Sequence, residues 1–156
     1  MKKLLIVLGI VLASFLMMGG CQLETSTSSG LEIQDTVLAK KEADLWQPVP
    51  EAIFKKGDTI GIVLLNVKGF KKGDDGLNWL DIDVEVKDPA NELILDEKDI
   101  LGEAGHVNLV DNIAKSPVGY FTTPLESASG KYLLKVTIKD KVGGGEASVS
   151  KSFVLE

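Results

Sequence analysis

The chain has 156 residues, enough for one ordinary domain, with 17 basic and 23 acidic side chains and a formal charge of −6. All the basic residues are Lys; there is no Arg, one His (His106) and one Cys (Cys21). Such a composition excludes a disulfide framework and a Cys/His zinc site. It also argues against nucleic-acid binding, because an acidic chain without Arg has neither the positive field nor the bidentate fork.

The chain opens with Lys2 and Lys3, then an apolar run from Leu4 to Met18, then Gly19, Gly20 and Cys21. A positive start, an apolar stretch too short for the roughly 20 residues of a spanning helix, and small residues before a cut site predict a secretory signal peptide over 1–20. Met18-Gly19-Gly20-Cys21 resembles the lipobox of bacterial lipoproteins. The resemblance implies that Cys21 carries a diacylglyceryl thioether and becomes the new N-terminus. It places the protein in the cell envelope, on the extracytoplasmic side of a membrane. Two acyl chains anchor stably, since each buried methylene contributes about 0.8 kcal/mol. Cleavage would remove Lys2 and Lys3, leaving 15 Lys against 23 acids, and so acidic a surface would not adsorb to anionic lipid by itself.

Residues 21–30 are rich in Ser, Thr and Gly, with little to bury, and predict a flexible tether. A single domain is then expected over 31–156. Residues 33–40 predict a first strand, or a short helix. The Leu45-Trp46-Gln47-Pro48-Val49-Pro50 segment is barred from a regular central strand by its prolines. Thr59 to Val67 is apolar on both phases and predicts a central strand covered on both faces.

Leu80 to Lys87 alternates strictly, with Leu80, Ile82, Val84 and Val86 on the apolar phase and Asp81, Asp83 and Glu85 on the other. Asp88-Pro89-Ala90-Asn91 is a turn signal, and Leu93-Ile94-Leu95 a returning strand. Residues 101–118 are the least legible and suit a short helix or a loop. Tyr132, Leu134, Val136 and Ile138 define another alternating strand, broken by the glycines at 143–145. Ala147, Val149, Phe153 and Leu155 resume the alternation, with Lys151 as the misfit. Six to eight short antiparallel strands after a cleaved signal peptide predict an all-β sandwich.

From Phe54 onward the pattern resembles an immunoglobulin-like or fibronectin-type module. Phe54-Lys55-Lys56-Gly57-Asp58-Thr59-Ile60 is similar to the lead into an early core strand, and Ser129-Gly130-Lys131-Tyr132 to a tyrosine corner. There the Tyr hydroxyl bonds to nearby backbone. Asp140-Lys141-Val142-Gly143 matches the turn of a terminal hairpin. The resemblance implies architecture only, because such folds host many unrelated functions.

Candidates for chemistry are few. Asp74, Asp75, Asn78, Asp81 and Asp83 have the oxygen ligands that calcium prefers, but carboxylates at i and i+2 stand about 6.5–7 Å apart along a strand. The expectation is a solvated sheet face including Glu85, with no metal and no cofactor. Trp79 lies on that outward phase and suits either a position under a crossing loop or, with Trp46, a peptide- or sugar-binding face. His106 has no second His or Cys to share a metal and reads as a loop residue.

The chain is therefore expected to be a non-catalytic, lipid-anchored binding or assembly module. Its partner would be an envelope protein, a peptide or a glycan. One rival is a secreted inhibitor or chaperone-like module that inserts the end loop Asp111 to Tyr120 into a target. A calcium-dependent or hydrolytic protein using the acids of Asp74 to Glu85 is the other.

Overall fold

A computed structural model of the chain describes residues 25–109 and 116–156. The signal-peptide region, Cys21 and residues 111–115 of the predicted end loop lie outside the described residues.

Two sheets pack face to face. The larger runs in the order β1 (Thr25–Ser29), β11 (Glu146–Leu155), β10 (Gly130–Asp140), β6 (Asn78–Lys87) and β7 (Leu93–Glu97). Two-residue strands complete it: β4 (Ile53–Phe54) pairs parallel to β11, and β8 (His106–Val107) pairs with β6. The smaller sheet is β3 (Leu45–Pro48), β2 (Asp35–Glu42), β5 (Thr59–Leu65) and β9 (Val118–Thr122). Apart from β4 on β11, every ladder is antiparallel. The molecule is a β-sandwich, as the alternating runs predict.

Its core is made by the inward phases of both sheets. Leu38, Ile60, Ile62, Leu64 and Phe121 face Ile82, Val84, Val86, Leu134, Val136, Ile138, Val149 and Phe153, all buried. Each such side chain contributes about 1.5–3 kcal/mol when fully removed from water. The 140–145 turn closes β10 onto β11 in the register Lys139↔Glu146, which keeps both apolar phases inward. Lys151 also takes the inward phase, opposite Leu134, and is buried. Tyr132 stacks on Phe153 at 5.4 Å, and its hydroxyl donates to the Ala128 carbonyl at 2.7 Å. That is the bond of a tyrosine corner.

Three expectations are corrected. Among the described residues eleven strands form instead of six to eight; β4 and β8 are too short to show a period, and β1 carries no apolar signal. Residues 25–29 are not a tether but pair with β11 from Thr25↔Ser150 to Ser29↔Glu146. Main-chain bonds hold that strand, and a Ser/Thr tract does not advertise them. The predicted solvated face is the third: Asp81 and Asp83 are buried, because residues 99–101 run alongside β6. Residues 102–105 form a 3₁₀ turn, the short helix allowed within 101–118.

Candidate binding cleft

The acids of β6 are structural anchors. Asp81 Oδ1 accepts the N–H groups of Leu101 and Ile82, each at 2.9 Å. Asp83 Oδ1 accepts the Asp99 N–H at 2.9 Å, and its Oδ2 meets Lys139 Nζ at 2.7 Å. Glu85 pairs with Lys98 at 2.8 Å and with Lys135 at 3.3 Å. Lys98 first, and Lys135 after it, hold the Glu85 carboxyl below its ordinary value against the opposing effect of burial.

The other oxygen ligands point elsewhere. Asn78 donates to the Lys71 carbonyl at 2.7 Å and accepts the Leu109 N–H at 3.2 Å. Asp75 accepts the Leu77 N–H at 2.9 Å and meets His106 Nε2 at 2.8 Å; the first contact, more than the second, lowers its pKa. Asp74, Asp75, Asn78, Asp81 and Asp83 are thus not gathered at one locus. Among the described residues no group of three or more His, Cys, Asp or Glu could hold a metal ion.

Trp79 and Trp46 occupy different sheets. Trp79 stacks on His106 at 5.2 Å, and its indole N–H donates to the Gly102 carbonyl at 3.3 Å, so it lies against the 102–106 segment. Trp46 lies on the outer face of the smaller sheet, where its ring is 5.4 Å from that of Tyr120. Gly61 makes this possible. A Cβ there would stand 2.9 Å from the Trp46 ring and 2.8 Å from Val118, so only glycine leaves room for the indole to lie across β5. Ala39, beside Gly61 in the ladder, is fully covered although it faces outward. The expected pair of Trp side chains is therefore replaced by Trp46 with Tyr120, which the sequence named only as the end of the 111–120 loop and which instead lies on strand β9. Its outward phase on a short strand next to an illegible segment offered no signal.

Tyr120 also borders a cleft of about 510 Å³ between the sheets where β7 and β9 end them. Ile82 and Val84 of β6 form its floor, and Ile94, Leu95, Ile100 and Leu101 one wall. Gly119, Tyr120, Phe121, Thr122 and Pro124 form the other. Glu97 is the single ionisable carboxylate in this lining. Ile94, Ile100 and Tyr120 are 49%, 47% and 51% exposed, so large apolar side chains reach solvent around one cleft. A volume of this size, apolar with a few polar groups, is typical of ligand and partner sites.

No protein-family description matches the chain, and no curated protein matches it. Among solved structures, the crystal structure of the C-terminal domain of wzt aligns over 88% of this chain and 80% of that chain, at 14% identity and a TM-score of 0.47.

Proposed function

We propose that this β-sandwich is a binding or assembly module, held on the extracytoplasmic side of a membrane by lipid on Cys21, and that it engages a protein partner through the β7–β9 cleft. The observation that carries the reading is the cleft itself: a 510 Å³ apolar concavity rimmed by half-exposed Ile94, Ile100 and Tyr120. Left in water, such a surface has an unfavourable hydration cost that a partner would relieve. A sugar would need more hydrogen-bonding groups than Glu97, Thr122 and Tyr120 offer in this lining. A role as a binder rather than a catalyst is supported by the commitments of Asp75, Asp81, Asp83 and His106, which are engaged within the fold.

The test is cross-linking in the native envelope. A photo-reactive residue in place of Tyr120 should yield a discrete adduct, and one at Val142, outside the cleft, should not. Equal labelling at both positions would remove the cleft from the reading. The anchor is tested separately, because Cys21→Ser should abolish labelling by a fatty-acid analogue. A variant that still labels and fractionates with membranes overturns the lipobox reading.

A further inference from the structure

The cleft lies where the two sheets are unequal. β9 packs over β6 and β10 and ends the smaller sheet, whereas the larger sheet continues to β7. Among the described residues no strand pairs with the outer edge of β9. At Gly119 the sheets touch, since a Cβ there would collide with Val136. Beyond it, toward Phe121 and Pro124, they part around the cleft. The cleft therefore occupies the position of a fifth strand of the smaller sheet.

Resting on the binding-module reading, we propose that β9 accepts an extended segment of a protein partner as an added strand. That segment alternates apolar residues with others and carries at least one Lys or Arg. An edge strand presents a row of unpaired N–H and C=O groups, and strand addition satisfies them along a defined register. The five residues of β9 span about 17 Å, so an added strand of that length turns two or three side chains into the cleft. Those side chains meet Leu95, Leu101 and Phe121 and must be apolar. The cation follows from charge. Glu97 is the ionisable carboxylate of the lining, no Lys lines it, and the chain carries −6 overall. Like charge also disfavours a second copy of this chain as the occupant.

Hydrogen exchange of the full chain tests this, with a synthetic peptide of about nine residues alternating Val with Lys or Thr as the probe. Saturating peptide should slow exchange of the 118–122 amides by about tenfold or more and leave 45–48 unchanged. Replacing the peptide's Lys by Glu should weaken binding about three- to tenfold, and Glu97→Lys should reverse that preference. Several outcomes overturn the proposal: binding without protection of 118–122, equal binding of a scrambled peptide, indifference to the Glu97 reversal, or no binding. Protection by a fatty-acid probe in place of the peptide would assign the cleft to an acyl chain and overturn it too. The binding-module reading stands or falls separately, on the Tyr120 cross-link.

Discussion

Asp83 of β6 and Lys139 of β10 form a diagonal ion pair of 2.7 Å across neighbouring strands, and the Asp83 side chain is only 8% exposed. The same carboxylate accepts the Asp99 N–H, and Lys139 also reaches Asp99 at 3.3 Å. This cluster ties the segment after β7 to the outer face of the larger sheet, and with it the wall of the cleft that Ile100 forms. Burial works against the charge on Lys139, but Asp83, and then Asp99, raise its pKa.

Asp83→Ala should therefore behave as a core substitution. It leaves Lys139 without its closest partner and the Asp99 N–H without its acceptor, at a cost of about 2–4 kcal/mol. Asp83→Asn, which keeps an acceptor and loses the charge, should cost less. Denaturant melts give the ranking. An Asp83→Ala variant as stable as the parent would mean that these bonds contribute nothing net.

Tyr132→Phe removes the hydroxyl that the Ala128 carbonyl accepts and retains the stack on Phe153. The expected loss is roughly 1–3 kcal/mol, and Tyr132→Ala, which empties a buried aromatic site, should lose about 3–5 kcal/mol. Cross-linking from Tyr120 should survive Tyr132→Phe wherever the chain stays folded, because Tyr132 belongs to the core and not to the cleft. Loss of the adduct in a folded variant would contradict that assignment.

Stability should be level through neutral pH and fall at both ends. The Glu85 carboxyl is held below its ordinary 4.5 by Lys98 and then Lys135, and that of Asp99 below 3.8 by Lys141 and then Lys139. A carboxylate with a depressed folded pKa contributes stability that is complete above its unfolded value and is lost as pH falls through the folded one. Lys98, Lys40 and Lys139 are raised above 10.5, so their contribution is complete below that value and lost as pH rises through the higher folded ones. Thermal melts should show a plateau from about pH 5 to pH 10. High salt should flatten the acid limb in part, because the exposed pairs are screened and Asp83–Lys139 much less so. A melting temperature unchanged from pH 7 to pH 3 would remove these pairs from the account of stability.

Much of the sandwich was legible because its signals are local. The alternation of Leu80 to Val86 and of Tyr132 to Ile138 fixes which side chains turn inward, and both phases are buried as the pattern requires. The Asp140–Gly145 turn and the tyrosine corner at Tyr132 likewise depend on residues close together in the chain. Period two, however, reports which face a side chain takes and not what covers that face. Asp81 and Asp83 carry the polar phase correctly, yet they are buried, because the 99–101 segment, some 18 residues further along, returns to donate its N–H groups. β1 is bound by main-chain pairing with β11, which leaves no mark on a run of Ser and Thr.

The candidate site depended wholly on the tertiary structure. Trp46 was legible as a candidate binding aromatic, but its neighbour is Tyr120, 74 residues away, and not Trp79. Sheet order decided that: β5 lies between β2 and β9, and Gly61 lets the indole cross it. Composition, hydropathy phase and turn chemistry determined an all-β sandwich from the sequence alone. Where the sheets part, and which apolar side chains are left facing water there, was set by the unequal number of strands on the two sides, a relation between distant segments that packing alone establishes.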